Sequence, residues 1–182
     1  LLGRNVRLLS HALDFYVLGA NVGLHHLSNV LYHLFAAWLV FLLAYKLLGD
    51  MKGGLVAALF FTLHPVQTES VAYLAGRRDI LVAIFYLWGF LSWCKYRESG
   101  KVLYAWLTLA GWLLSMASKE SGITLPAVIL VYEAYIILKG KKAGMTFASL
   151  YNACKELVRS HRIAFTGILV FLAALAAVII PF

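Results

Sequence analysis

The stretch 27–48, LSNVLYHLFAAWLVFLLAYKLL, decides the fold. It is apolar almost throughout, and its one formal charge, Lys46, lies near its far end. A helix needs about 20 such residues to cross a bilayer, and this run supplies them unaided. Five more apolar runs follow, at 53–63, 80–94, 102–117, 123–138 and 163–182. The last also meets span length. The runs at 80–94, 102–117 and 123–138 reach it with flanking Tyr, Trp, Lys and Arg, which sit well at membrane interfaces. The run at 53–63 is short. It reaches span length if its helix starts near Asp50 and continues, kinked, through Pro65.

The composition agrees. Of 182 residues, 63% are apolar and 13% are charged, about half the ~25% of soluble domains. Mean hydropathy is +0.84. Too few polar side chains remain to cover a water-facing surface. This excludes a soluble globular domain, a secreted disulfide scaffold and a disordered tail. Cys94 and Cys154 stand far apart in or beside apolar segments and read as buried thiols. No Met or cationic leader opens the chain, and it closes inside an apolar run, so both ends read as cut. The expected fold is all-α: a polytopic bundle of about six membrane segments with interfacial amphipathic helices. No repeat of about 20–50 residues is visible.

The net charge of +8 is then a matter of topology rather than of nucleic acid. With the first run travelling inward, Arg4, Arg7, Arg77, Arg78 and Lys119 stand outside, and the other Lys and Arg residues anchor the cytoplasmic side. Two segments suit the membrane surface. In 3–19, Arg4, Arg7, His11 and Asp14 share one helical face and apolar residues fill the rest. A second amphipathic stripe at 144–162 belongs on the cytoplasmic side, before the last helix at 163–182.

Three outward stretches carry the chemistry. His25, Asn29 and His33 are spaced for one helix face, with His26 beside them. They read as the lining of a polar cavity. A metal needs three or four converging ligands, so a divalent metal is only an alternative there. The stretch 64–79, HPVQTESVAYLAGRRD, places Glu69, Tyr73 and Arg77 at helical spacing. It ends on Arg77, Arg78 and Asp79. Arginine's planar fork suits phosphate, and Asp79 reads as the N-cap of the next helix. The short connection 118–122, SKESG, holds Lys119 and Glu120. Glu133 lies within an apolar run, where a carboxylate is costly and is usually paired.

These blocks resemble a known family. His64-Pro65-x-x-Thr68-Glu69-x-Val71-Ala72 with Gly76-Arg77-x-Asp79-Ile80-Leu81 is similar to the transmembrane and tetratricopeptide-repeat O-mannosyltransferase-like proteins. So is Ser118-Lys119-Glu120-Ser121-Gly122-Ile123-Thr124-Leu125-Pro126 with Tyr132-Glu133, and so is His25-His26-Leu27-x-Asn29-Val30-Leu31-x-His33. The resemblance covers most of 3–138. It implies a glycosyltransferase of the GT-C type, taking a sugar (mannose in the family's name) from a polyprenyl-phosphate lipid. The acceptor is a protein hydroxyl or a glycan on the periplasmic or lumenal face.

On that reading, Arg77, Arg78 and Lys119 hold the lipid phosphate, with Arg4 or Arg7 assisting. Glu69 or Glu120 orients an arginine or binds the sugar. His25, Asn29, His33, His64 and Asp79 line the cavity. The catalytic acid of such enzymes sits in a first outer loop, which the resemblance places before Leu1, so the catalytic residue is unknown and the role is not carried to Asp14. No tetratricopeptide repeat is visible. The compact loops favour a bacterial inner membrane over the endoplasmic reticulum. The alternatives are a silent membrane anchor for a repeat scaffold, or a transporter or lipid flippase, although no inverted repeat is seen.

Overall fold

The structure, a computed structural model, describes residues 5–141. They are helical, with no strand among the described residues. The helices are α1 (Asn5–Leu18), α2 (Val22–Leu48), α3 (Met51–Leu63), α4 (Gln67–Ala72), α5 (Arg77–Ser99), α6 (Val102–Ser118) and α7 (Leu125–Lys141). Short 3-10 turns at Leu74–Gly76 and Glu120–Thr124 precede α5 and α7. The chain divides into two units, Leu1–Pro126 and Ala127–Phe182. In the second, the described part is the body of α7, where Glu133 is buried. The expected segments 144–162 and 163–182, Cys154 and Arg4 lie outside the described residues.

Two stretches are long and apolar enough to cross a membrane, Val22–Leu48 and Glu120–Ile137; Met51–Leu63 and Val102–Ser118 are shorter apolar helices. At 1.5 Å per residue, α2 is about 40 Å long and α3 about 20 Å, against a hydrocarbon core of about 30 Å. The expected kink through Pro65 does not form. Proline disfavours helical backbone in the residue before it, and His64 is extended (φ −65°, ψ 128°), so α3 stops at Leu63.

The first unit is nevertheless built lengthwise. Asp50 caps α3, its Oδ2 accepting from the Gly53 N–H at 2.8 Å, just past the end of α2. α3 packs back along α2. The chain then runs through α4 to Arg77, whose guanidinium meets the His25 carbonyl and Asn29 near the start of α2. At the other end, Lys46 pairs with Glu98 at 2.6 Å. So α2 and α5 are parallel, with residues 51–76 as the return path. Ala36 and Leu39 of α2 pack with Ile80 and Ile84 of α5 between them.

α6 runs back against α5. Their crossing is close because two glycines meet: a Cβ on Gly111 would lie 2.7 Å from the Gly89 Cα and 2.9 Å from the Phe85 carbonyl oxygen. α6 ends where Lys119 pairs with Asp79 on the first turn of α5. α1, the 64–79 stretch and the 118–124 connection therefore share one end of the unit. The turns after α2 and after α5 share the other, with Lys46, Lys52, Lys95, Arg97 and Lys101.

Candidate functional site

The polar face of α1 turns inward. Ser10 is buried and Arg7, His11 and Asp14 are half-buried, while Leu8, Leu9, Leu13, Phe15, Tyr16 and Val17 are exposed. The segment expected as a surface helix is helical over Asn5–Leu18, and it faces the bundle with its polar side. Asp14 is the reason. It meets Arg77, which is 0% exposed, with Nη1 at 2.6 Å from Asp14 Oδ2. Arg77 Nε donates to Asn29 Oδ1 at 2.6 Å, and Nη2 donates to Ser28 Oγ at 3.1 Å and to the His25 carbonyl at 3.3 Å. The Ser28 hydroxyl donates to Asp14 at 2.6 Å, and Asn29 Nδ2 donates to the Val71 carbonyl at 3.2 Å. The Tyr32 ring lies 5.3 Å from the guanidinium carbon. One arginine thus ties α1, α2 and the end of α4 to α5.

Arg77, expected to hold a lipid phosphate, is instead buried among these partners. Its fork is turned inward: Nη1 lies in ion-pair contact with Asp14 although off hydrogen-bonding geometry, and an anion would have to displace Asp14. Asn29 is likewise committed to this hub. His25 lies beside it, Nε2 donating to the Gly19 carbonyl at 2.9 Å and Nδ1 3.8 Å from Asp14. The expected face of Glu69, Tyr73 and Arg77 does not exist. The backbone leaves the helix at Tyr73 (φ −90°, ψ 119°), so Glu69 and Tyr73 are exposed while Arg77 is buried.

Arg78, one residue on, is exposed and makes no ion pair among the described residues. Asp79 does not cap α5, which starts two residues earlier; it pairs with Lys119 on the connection after α6. Lys119 keeps 35% of its side chain exposed. That connection is pressed onto α6: a Cβ on Gly122 would lie 2.5 Å from the Ser115 carbonyl carbon. Glu120 beside it is exposed. The Tyr86 and Thr124 hydroxyls are 3.2 Å apart, joining the same connection to α5. Arg78, Lys119, Glu69, Glu120 and half-buried Arg7 thus stand at one end of the unit.

His33 and His64 border a cavity of about 420 Å³, together with His26, Thr62, Gln67 and Thr68. His25, Asn29 and Asp79 are not among its lining residues. Among the described residues, no three His, Cys, Asp or Glu side chains converge as a metal site. Sequence reasoning missed Ser28 as a partner of Arg77, and it missed Gln67 in the cavity. Asp14 was visible on the polar stripe of α1, but its partner was not.

The hub is pH-sensitive in one direction. Burial works against ionisation of Asp14, but the Ser28 hydroxyl and the Arg77 guanidinium outweigh it and hold the carboxyl below its ordinary value of 3.8. Burial, then the Arg77 charge, lowers His11 from 6.5. Both groups bind protons less readily folded than unfolded, so their contribution is complete above pH 6.5. It weakens first as pH falls through the His11 range and again below 3.8. Melting temperature is expected to fall on acidification, and His11→Ala is expected to remove the first step and leave the second. Melts from pH 8 to pH 3 in nanodiscs measure this.

No protein-family model and no solved structure matches the chain. Curated proteins do. It is 34% identical over 115 residues to the human protein O-mannosyl-transferase TMTC3, which covers 62% of this chain and 12% of that protein. It is 38% identical over 124 residues to Drosophila melanogaster Tmtc1 (66% and 14%) and 32% identical over 160 residues to human TMTC4 (75% and 21%), both also named protein O-mannosyl-transferases. The chain therefore spans a small part of the length of these relatives. The family likeness carried by the three motif blocks is borne out.

Proposed function

We propose that this chain, a relative of the TMTC protein O-mannosyl-transferases, is part of the membrane domain of a glycosyltransferase. The domain has the GT-C design of about six membrane segments, takes a mannose-like sugar from a polyprenyl-phosphate lipid, and passes it to a protein hydroxyl. The reaction takes place at the non-cytoplasmic face, periplasmic or lumenal. The observation that carries the reading is the meeting of the 64–79 stretch, the 118–124 connection and α1 at one helix end. The opposite end carries the lysine-rich turns that the positive-inside rule assigns to the cytoplasm.

The chemistry follows from the exposed groups. Transfer breaks the bond between the sugar carbon and the phosphate oxygen, and the leaving phosphate gathers negative charge. Arg78 and Lys119 are the cations presented there, and fixed positive groups at a developing charge lower the barrier. Arg7 stands on α1 at the same end. Arg77 acts behind them as a positioning residue that fixes α1 and the start of α5. The acceptor proton needs a carboxylate base. Asp14 and Asp79 are committed to ion pairs and are not assigned that role. Holding donor and acceptor in line supplies the rest of the rate.

The test is sugar transfer by the full-length protein from polyprenyl-phosphate mannose to an acceptor peptide. A charge-assisted contact is worth about 1.5–3 kcal/mol, so Arg78→Gln and Lys119→Met are each expected to cut kcat/KM about ten- to hundredfold. Unchanged turnover in the double variant removes the phosphate assignment.

A further inference from the structure

The transfer proposed above makes no use of the cavity bordered by α2, α3 and α4. Its polar lining consists of the imidazoles of His26, His33 and His64, the Gln67 amide and the hydroxyls of Thr62 and Thr68. No Lys, Arg, Asp or Glu borders it.

His33 decides what the cavity can hold. It is 5% exposed, and its ring is stacked on Phe61 with centroids 5.1 Å apart. Nε2 lies 3.4 Å from the Thr62 carbonyl oxygen. A carbonyl only accepts, so Nε2 carries the proton. In the neutral ring Nδ1 is then a lone pair; it is buried with no hydrogen-bond partner, and such groups in proteins call for one. At the rim, His64 Nδ1 accepts the Val66 N–H at 3.2 Å, which leaves the proton on Nε2. An acceptor at depth and a donor at the rim match a group that does both, which is a hydroxyl. An anion would meet the His33 lone pair with no cation to offset it.

The space continues along α3. Leu63 and His64 also border a second, apolar hollow of about 410 Å³, with Val56, Leu59, Phe60 and Pro65. Leu59, Phe60 and Leu63 are exposed on the side of α3 that the membrane reading gives to lipid. We infer that the two hollows form one binding site for a lipid with an uncharged, hydroxyl-bearing headgroup. The headgroup enters the histidine-lined cavity and the hydrocarbon chain lies along α3. These residues are not the ones assigned to the donor phosphate, so the inference stands or falls apart from the transferase reading.

The test uses the full-length protein in phosphatidylcholine nanodiscs and an alkyl glucoside with a diazirine in its chain. After irradiation, the labelled peptides are mapped by mass spectrometry. Label is expected on 56–65. Excess unlabelled alkyl glucoside should compete it away, and an alkyl phosphocholine of equal chain length should not. His33→Phe keeps a ring to stack but loses the lone pair, and is expected to cut labelling about fivefold; His33→Asn, which keeps an acceptor, retains it. Equal competition by the phosphocholine overturns the inference, as does full labelling of His33→Phe. Preferential competition by polyprenyl-phosphate mannose overturns it too, because the site would then be the donor's. Should His33→Phe fail to fold, the competition on the unaltered protein decides alone.

Discussion

Arg77→Met is expected to cost about 3–5 kcal/mol, the range measured when one partner of a buried ion pair is removed. Methionine fills much of the volume but donates nothing. Asp14 would keep only the Ser28 hydroxyl as a hydrogen bond, with His25 Nδ1 farther off at 3.8 Å, and Asn29 Oδ1 would lose its donor. Burial of those groups is favourable only while the guanidinium is present. α1 should detach first, because its inward face is polar and its outward face apolar. Unfolding in nanodiscs, followed by heat and by protease access to α1, measures this. Arg77→Lys should recover little, since an ammonium cannot reproduce the fork that reaches Asp14, Ser28 and Asn29 together. A wild-type melt for Arg77→Met would mean that the hub does not hold the fold.

Gly111→Val is the second large effect, at about 3 kcal/mol, the upper end of ordinary overpacking. The atoms its Cβ would strike are backbone: Gly89 Cα at 2.7 Å, Gly89 N at 2.9 Å and the Phe85 oxygen at 2.9 Å. No rotamer change relieves that contact, so α5 and α6 must separate. Separation would also move Lys119 from Asp79, so activity should fall with stability. Gly89→Ala is the control. Its Cβ would meet a side-chain end, Leu125 Cδ2 at 3.0 Å, which can give way, so the loss should be well under that of Gly111→Val. Equal melts for the two variants would show that the crossing is not set by this contact.

The helices were legible because apolar runs and connection signals are local. The runs at 80–94 and 102–117 became α5 and α6 with a few residues added at their ends. The end of α3 was misread although its cause was in the sequence: His64 precedes Pro65, and that residue leaves helical backbone more readily than it kinks within it. The site was harder. Arg77 and Arg78 are neighbours, and neighbours on a helix point about 100° apart. Which of them is buried depends on Asp14 and Asn29, far away in the chain, and no spacing rule reaches that distance. The run of Glu69, Tyr73 and Arg77 assumed a continuous helix through Tyr73, where the backbone turns. The polar stripe of α1 was read correctly as a stripe. Its inward orientation follows from the solvent, because at a lipid boundary the apolar face is the outer one.

The central claim is that the three motif blocks share one side of the membrane and the lysine-rich turns share the other. Single cysteines at Glu69, Glu120 and Ser99, all exposed positions, can be labelled with a membrane-impermeant maleimide from either side of sealed vesicles. A background with Cys94 and Cys154 replaced keeps the signal clean. The account predicts labelling at 69 and 120 from the non-cytoplasmic side only, and at 99 from the cytoplasmic side only. Labelling of 69 and 99 from the same side, or of 69 and 120 from opposite sides, would contradict it.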